Sequence, residues 1–351
     1  MSLKTNPICL ICSLFCAFLL FFQFSFAQSD FGEADALLQK NQKMLGNAVV
    51  ALIYKDGKII HQKELGDDFN AKTQAPIASS SKWLTAALVM IFVDEGKISL
   101  DDPVAKYLPV FNSHMKSFVT IRQCLAHATG IENDKGSMLK IVQRKKYATL
   151  EEEVNAYAAK EISNNAGTEF HYGTIGLNIA GRVLEVITKK TFDRIIADKL
   201  LRPLKMRGTT FVDEGGNAPN PSGGARSTAN DYINFLSMIL NKGMFEGKRI
   251  LSEKAIEEMQ QPQFTNLPVK FTPKLAEGLH YGLGEWIQEE DASGKSTVVG
   301  CPGLFGTWPY VDKCRNYAAI IFVKNILGEQ KKDFALQFKG AVDQAVGGGC
   351  Q

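Results

Sequence analysis

The chain has 351 residues, of which 45% are hydrophobic, and a formal net charge of +3 at pH 7. That is enough apolar material for one large core or two smaller ones. The nearly balanced charge does not favour nucleic acid or an acidic membrane as a partner. Three of the seven cysteines, Cys9, Cys12 and Cys16, lie near the start of the chain. The four others are too few for a chain of this length to depend on disulfides for its fold.

The N-terminal segment has the features of an export signal. Lys4 gives a positive start, residues 8–22 are an apolar run, and Ala27 is a small residue at its end. We expect a secretory signal peptide over residues 1–27, cleaved after Ala27, with an uncleaved membrane anchor as the alternative. The mature chain, residues 28–351, is then expected to have no membrane span and to be periplasmic or secreted.

Strand patterns occupy the two ends of the chain, and helical patterns fill its middle. A surface helix over residues 30–45 precedes a β-hairpin over residues 48–62, whose turn is Asp56-Gly57. The further predicted helices span residues 83–93, 120–127, 150–160, 176–187, 191–201, 230–240, 252–260 and 333–346. The further predicted strands span residues 281–288, 296–300, 310–311 and 317–323.

This order predicts an α/β (α+β) fold with one antiparallel sheet built from both chain ends and flanked by helices. We expect a sheet subdomain from residues 28–75 and 280–351, with an inserted, mostly helical subdomain over residues 76–279.

Residues 77–96 carry the most informative pattern of the chain. Residues 83–93 are almost wholly apolar, which is typical of a buried helix, and three serines precede them. Lys82 follows Ser79 by three residues, so both lie on one helix face, about 5–6 Å apart between Cβ atoms. Because burial of an ammonium group is costly, a serine beside a desolvated lysine indicates nucleophilic catalysis.

Two observations weigh against relying on this spacing alone. The same Ser-x-x-Lys pattern recurs at Ser113 and Lys116, where no buried helix follows. The structural alternative for Ser79 and Lys82 is a helix-capping serine and a lysine whose charged end reaches solvent.

Six further stretches with distinctive sequence are spread along nearly the whole mature chain. They are residues 121–130 (Ile-Arg-Gln-Cys-Leu-Ala-His-Ala-Thr-Gly), 170–174 (Phe-His-Tyr-Gly-Thr), 203–206, 223–231, 281–284 (Tyr-Gly-Leu-Gly) and 300–307 (Gly-Cys-Pro-Gly-Leu-Phe-Gly-Thr). With Ser79 and Lys82, their order and spacing resemble the serine hydrolases related to class C β-lactamases and penicillin-binding proteins. The resemblance implies a β-lactamase/transpeptidase-like fold.

The resemblance also implies roles for single residues. Ser79 would be the nucleophile, Lys82 would orient and tune it, and Tyr172 would be the general base and then the acid. Since a nearby cation favours phenolate, we expect a lowered pKa for Tyr172. The backbone N–H groups of Ser79 and Leu304 would form the oxyanion hole. His127 is interpreted as a structural residue that fixes a turn.

Three positions depart from the family pattern. Cys301 stands where the third motif has Lys or His, Thr174 stands where β-lactam-active members usually have Asn, and Pro302 removes a backbone donor. Thr174, Cys301 and Gly303 are the predicted substrate-binding residues. The replaced groups are those that hold the carboxylate and acylamide of a β-lactam, so poor β-lactamase activity is expected.

We therefore predict an exported serine hydrolase that cleaves a small acyl ester or amide through an acyl-enzyme on Ser79. The alternatives are a penicillin-binding protein, a D-Ala carboxypeptidase or a β-lactamase, and a catalytically weak pseudo-hydrolase that acts as a binding module. We expect no cofactor, no metal and no nucleic-acid partner, only a small-molecule acyl substrate; the sequence leaves the oligomeric state open.

The cysteines of the C-terminal strands are expected to be unpaired with each other. If the chain reverses over residues 304–306, Cys301 faces a residue near Pro309, and Cys314 lies roughly 17 Å further along the strand. A disulfide requires Cα atoms within about 7 Å. We therefore expect Cys301 to be a free thiol at the edge of the site, accessible to a maleimide.

Overall fold

The computed structural model describes residues 30–132, 146–324 and 332–349. The predicted signal peptide, residues 1–27, and its membrane-anchor alternative lie outside the described residues. Within the three described ranges, no helix is both long and apolar enough to cross a membrane.

A seven-stranded antiparallel sheet is the central layer, with the strand order β2-β1-β13-β12-β11-β10-β9. Its strands are β1 (Val49–Lys55), β2 (Lys58–Leu65), β9 (His280–Tyr281), β10 (Trp286–Glu290), β11 (Ser296–Gly300), β12 (Trp308–Asp312) and β13 (Tyr317–Val323). Val49 of β1 lies opposite Val323 of β13, so the first and last strands are neighbours. The predicted sheet from both chain ends is confirmed, whereas the predicted subdomain boundaries stay a prediction.

Helices cover both faces of this sheet. They are α1 (Gly32–Lys40), α2 (Ser81–Asp94), α3 (Val110–Ser113), α4 (Ile121–Leu125), α5 (Leu150–Ala159), α6 (Ile175–Thr188), α7 (Phe192–Ile196), α8 (Ala229–Leu240), α9 (Glu253–Met259) and α10 (Lys332–Val346). Helices α1 and α10 bury their apolar faces in one core cluster, and α2, α6, α8 and α9 bury theirs in a larger one. Short strands complete the fold: β3 (Ala75–Pro76), β4 (Phe170–His171), β5 (Arg226–Ser227), β6 (Met244–Phe245), β7 (Lys248–Arg249) and β8 (Val269–Phe271).

Helix α2 lies in the middle of the larger core, as its apolar sequence predicts. Every side chain from residue 81 to residue 92 is buried. Trp83 packs edge-on against Phe235 of α8, with 5.4 Å between the ring centroids. The polar Thr85 is satisfied because its hydroxyl donates to the carbonyl oxygen of Pro221 at 2.7 Å. The helix therefore provides a rigid base for the residues at its N-terminus.

The prediction of a single strand over residues 281–288 is wrong, because a turn over residues 282–285 separates β9 from β10. Gly284 has a φ of 81°, and a Cβ atom there would lie 2.4 Å from the Cβ atom of Ala86 and 2.9 Å from the carbonyl oxygen of Lys82. The backbone thus turns to approach α2 more closely than a residue with a side chain allows. This close approach brings the end of the sheet against the first turns of α2.

The burial of α2 predicts a large loss of stability when one of its core side chains is truncated. Phe92→Ala should lower the free energy of unfolding by about 3–5 kcal/mol, because it removes a fully buried ring and leaves a cavity. Phe118→Ala, whose ring is 46% exposed, is the matched control and should cost less than about 1 kcal/mol. Equal urea-unfolding midpoints for the two variants would contradict the placement of α2.

Candidate active site

Ser79 lies in the 3-10 turn Ala78–Ser80, directly before α2. The preceding residue, Ala78, has a φ of 44°, a left-handed conformation that costs a non-glycine residue about 1–3 kcal/mol. Two contacts fix the turn. The N–H of Ser80 donates to the carbonyl oxygen of Ile77 at 3.1 Å, and the hydroxyl of Tyr232 donates to the carbonyl oxygen of Ser80 at 2.8 Å. The strained backbone is thus held by its surroundings.

The three consecutive serines have different roles, and none of them caps α2 by its side chain. Ser80 is buried, and its hydroxyl donates to the carbonyl oxygen of Cys301 at 2.7 Å. Ser81 is also buried, and its hydroxyl accepts the N–H of Ala225 at 3.0 Å. Ser79 alone of the three is partly exposed. The structural alternative of a helix-capping serine is therefore excluded, and tertiary contacts use the hydroxyl groups of Ser80 and Ser81.

Lys82 brings a buried ammonium group to Ser79. Its Nζ atom donates to the hydroxyl oxygen of Ser79 at 3.2 Å and to the carbonyl oxygen of Ser222 at 2.8 Å, and it lies 4.8 Å from the ring centroid of Tyr172. No ion pair joins Lys82 to a carboxylate of the described ranges. Burial lowers the pKa of Lys82 to about 8, and the nearby thiol of Cys301 opposes this shift. The solvent-reaching alternative for Lys82 is excluded, since the side chain is buried.

Tyr172 follows β4 and meets Ser79 from the helical side. Its ring is buried and packs against the rings of His127 and Trp286, at centroid distances of 4.6 and 5.2 Å. Burial raises the pKa of Tyr172, and its hydrogen bond with the Ser79 side chain only opposes that rise. The expected lowering by Lys82 is therefore wrong: desolvation of the phenolate outweighs the cation. At neutral pH Tyr172 is a phenol, which can donate a proton.

His127 fixes the backbone beside Tyr172. Its Nδ1 atom accepts the N–H of Gly173 at 3.4 Å, and its Nε2 atom lies 3.2 Å from the hydroxyl of Tyr281. Burial lowers the pKa of His127, and the charge of Lys82 lowers it further, so the ring is neutral at physiological pH. Both ring nitrogens are occupied by these contacts, which agrees with the structural interpretation of His127.

The third motif forms a tight turn against the Ser79 segment. The N–H of Cys301 donates to the carbonyl oxygen of Pro309 at 3.3 Å, which confirms the predicted register. A Cβ atom on Gly303 would lie 2.3 Å from the carbonyl oxygen of Ile77, so only glycine allows this contact. Leu304 follows directly, and its N–H makes no backbone hydrogen bond within the described ranges. Its assignment to the oxyanion hole, with Ser79, stays a prediction.

The side chain of Cys301 stabilises the turn that carries Ser79. Its side chain is fully buried, and its thiol donates to the carbonyl oxygen of Ser79 at 3.1 Å. Burial raises the pKa of this thiol to about 12. Cys301 is free, as predicted, and Cys314 is disulfide-bonded. The expectation of an accessible thiol at Cys301 is wrong, because the side chain is buried in the larger core cluster; its assignment to substrate binding stays a prediction.

Thr174 stands at the N-terminus of α6, two residues after Tyr172. It is partly exposed, and its hydroxyl makes no capping hydrogen bond. A small polar side chain is thus available beside the tyrosine. Its contact with substrate, and that of Gly303, stay predictions.

Sequence reasoning did not identify the partners that hold Lys82. The carbonyl oxygen of Ser222 accepts from Lys82, and the N–H of Ser222 donates to the Oδ1 atom of Asn178 at 3.0 Å. A backbone carbonyl can accept a hydrogen bond whatever the residue type, so the sequence could not identify Ser222 as this acceptor. The adjacent motif over residues 223–231 was the sequence signal nearest to it. Among the described residues, no cluster of three or more His, Cys, Asp or Glu side chains is arranged to hold a metal ion.

Known proteins resemble this chain in sequence and in fold. Protein flp of Staphylococcus aureus strain MW2 is 30% identical over 170 residues, which are 46% of this chain and 34% of that protein. Teichoic acid D-alanine hydrolase of Staphylococcus aureus is 29% identical over 180 residues, 49% of this chain and 43% of that protein. The chain thus matches less than half the length of these curated relatives.

A solved structure agrees over a larger part of the chain. A candidate β-lactamase from Bacteroides dorei DSM 17855 superposes with a TM-score of 0.81 and 29% identity, covering 91% of this chain and 99% of that one. This confirms the predicted β-lactamase/transpeptidase-like fold. The sequence model of the Beta-lactamase family matches residues 35–339. The chain therefore belongs to the Beta-lactamase family.

Proposed function

We propose that the protein is an exported hydrolase that cleaves a small acyl ester or amide through an acyl-enzyme on Ser79. The observation that carries the proposal is the buried Nζ atom of Lys82, 3.2 Å from the hydroxyl oxygen of Ser79. A lysine with a pKa of about 8 has a substantial neutral fraction at mildly alkaline pH, and a neutral amine is a proton acceptor.

In the proposed reaction, Lys82 rather than Tyr172 is the first base. The Ser79 oxygen forms a bond to the acyl carbon while its proton passes to the Lys82 amine, and the carbonyl π electrons move onto oxygen. The N–H groups of Ser79 and Leu304 then stabilise the oxyanion. When the oxyanion re-forms the carbonyl group, the bond between the acyl carbon and the leaving group breaks; Tyr172, a phenol at neutral pH, donates its proton to the leaving group and regains one from Lys82. Water then adds to the acyl carbon while its proton passes through Tyr172 to Lys82. Collapse of this second intermediate breaks the bond to the Ser79 oxygen, which takes the proton from Lys82.

The substrate is proposed to carry a small acyl group without a carboxylate. With the Cys301 thiol turned into the core and Pro302 without an N–H, the third motif offers no side-chain cation to a substrate carboxylate. Thr174 offers a hydroxyl in place of a carboxamide. The name of one relative refers to D-alanine and teichoic acid, which supports a small acyl group.

Two alternative functions follow from other features of the chain. The Ser79, Lys82 and Tyr172 set and the family match favour a penicillin-binding protein, a D-Ala carboxypeptidase or a β-lactamase. The altered third motif favours a pseudo-hydrolase that binds without turnover. The contact between Lys82 and Ser79 supports turnover, because a binding module has no need of a buried lysine.

Export is part of the proposal, and two observations support it. The N-terminal 27 residues have the pattern of a signal peptide. Cys314 is disulfide-bonded, and disulfides persist mainly in oxidising compartments.

Removal of the nucleophile should abolish turnover. Ser79→Ala should reduce kcat for a short-chain chromogenic ester by at least about 1,000-fold, since the acyl-enzyme cannot form. Ser113→Ala is the matched control, because it alters the second Ser-x-x-Lys pattern at an exposed serine. Its activity should equal that of the unaltered enzyme. Undiminished turnover by Ser79→Ala would refute the proposed chemistry.

The role of Lys82 predicts a pH dependence. Since the pKa of Lys82 is lowered to about 8 and its neutral form is the base, kcat/KM should rise as the pH increases towards that value. Lys82→Arg should lose activity at every pH, because a guanidinium stays protonated. Lys116→Arg is the control and should keep the rising limb. An active Lys82→Arg enzyme would remove proton transfer to Lys82 from the mechanism.

The departures at Thr174 and Cys301 predict poor activity on β-lactams. A lost charged hydrogen bond is worth about 1.5–3 kcal/mol, so nitrocefin hydrolysis should be about 10–100-fold slower than in a family member with the full motifs. Thr174→Asn should increase acylation by nitrocefin, because a carboxamide can bind the acylamide. Rapid nitrocefin turnover by the unaltered protein would favour the β-lactamase alternative.

A further inference from the structure

A cavity of about 400 Å³ lies beside the strands β11 and β12, away from the Ser79 turn. Its floor consists of Gln260 directly after α9, Ser296 at the start of β11 and Lys313 directly after β12. Strand β11 leads from Ser296 towards Cys301, which at about 3.3 Å per residue is roughly 17 Å further along the chain. The proposed reaction uses none of the residues that line this cavity.

The three floor side chains are joined by hydrogen bonds. The Nζ atom of Lys313 donates to the Oε1 atom of Gln260 at 2.9 Å and to the hydroxyl oxygen of Ser296 at 2.7 Å. The first contact fixes the orientation of the Gln260 carboxamide, because only its oxygen can accept from an ammonium. Gln260 is 5% exposed, and its Nε2 atom has no hydrogen-bond partner among the described residues. A buried amide donor without a partner requires an explanation.

The hydrogen-bonding capacity that remains on this floor consists of donors. An ammonium has three N–H donors, and Lys313 uses two of them on its neighbours. The hydroxyl oxygen of Ser296 accepts from Lys313, so its own proton is available. The Gln260 amide adds its N–H groups. The oxygen atoms of both neighbours are already bound to Lys313, so the floor is suited to a ligand that accepts hydrogen bonds.

The charge of the cavity is also uncompensated. Over residues 30–132, 146–324 and 332–349, no ion pair joins Lys313 to a carboxylate. Burial lowers the pKa of Lys313 to about 8, so the acids around it do not make up for its lost hydration. The exposed rim carries Lys295 and Glu257, whose charges cancel, and the cavity has a net charge of +1. An anion would supply both the missing charge and the missing acceptors.

We propose that this cavity is a second binding site of the protein, for a small oxyanion of the phosphate or carboxylate type. The oxygen atoms of the anion accept from the Gln260 amide, the Ser296 hydroxyl and the remaining N–H of Lys313. A neutral ligand would bind the donors but leave the Lys313 charge without a partner. Oxyanion binding here does not depend on the serine chemistry, so either can fail while the other holds.

Calorimetric titration of the folded protein with sodium phosphate at fixed ionic strength tests the site, and we expect saturable binding of one anion per chain. Gln260→Glu replaces the amide donor by a carboxylate that pairs with Lys313 and repels the anion. Its dissociation constant should rise at least about 10-fold, as expected for the loss of a charged hydrogen bond. Gln39→Glu, the same substitution at an exposed residue of α1, is the matched control and should change it by less than about twofold.

A second pair of variants tests the cation. Lys313→Gln removes the positive charge from the floor and should also weaken phosphate binding at least about 10-fold. Lys58→Gln, at an exposed lysine of β2, is its control and should bind phosphate as the unaltered protein does. Titration with sodium acetate then identifies the class of oxyanion. Tighter binding of phosphate supports a tetrahedral anion, and tighter binding of acetate supports a carboxylate.

The outcomes that would overturn the proposal are distinct. Saturable binding of neither anion would show that the cavity is not an oxyanion site. Phosphate or acetate binding with unchanged affinity in Gln260→Glu would place the anion elsewhere on the protein. If Gln260→Glu does not fold, unchanged affinity in Lys313→Gln would overturn the site equally. Ester turnover enters none of these measurements, so a failure of the proposed function is recognised separately.

Discussion

The burial of the Lys82 ammonium group beside Ser79 is the constraint on which the rest of the site depends. Desolvation lowers the pKa of Lys82 from 10.5 to about 8, which corresponds to roughly 3 kcal/mol of destabilisation of the charged form. No carboxylate of the described residues neutralises it. Its hydrogen-bond acceptors are the Ser79 hydroxyl and the Ser222 carbonyl. A poorly compensated lysine of this kind is suited to proton transfer.

The fold supplies the support that such a lysine requires. The apolar helix α2 fixes the Cα atom of Lys82 within the largest core cluster. Two glycines allow close contact with this region: a side chain at Gly284 would collide with α2 itself, and one at Gly303 would collide with Ile77 and Ser80 in the turn before it. Cys301 and Tyr232 bind the carbonyl oxygens of the preceding turn. The reactive geometry therefore arises from contacts between elements that are distant in sequence.

The sequence predicted much of this arrangement because it is carried by residue type. The apolar run before Gly96 predicts a buried helix, the strand patterns at both ends predict one sheet, and the spacing of Ser79 and Lys82 predicts their contact. Contributions that depend on the backbone or on burial could not be predicted in the same way. The Ser222 carbonyl leaves no signal in its residue type.

The errors at Tyr172 and Cys301 have a common physical cause. The pKa of Tyr172 was expected to follow the nearest charge, but the desolvation of its phenolate is larger. The side chain of Cys301 was expected to be accessible at the edge of the site, but a free thiol is a small, weakly polar group that is stable in the core. Burial, which one sequence does not specify residue by residue, decided both cases.

The central claim is that Ser79 is the nucleophile and is activated by Lys82. Labelling of the native protein with a fluorophosphonate, followed by mass spectrometry of its peptides, tests this claim most directly. We expect one adduct, on Ser79, whose rate of formation is lowered strongly in Lys82→Arg. An adduct at another residue such as Ser113, or labelling of Ser79 at an unchanged rate in Lys82→Arg, would contradict the account.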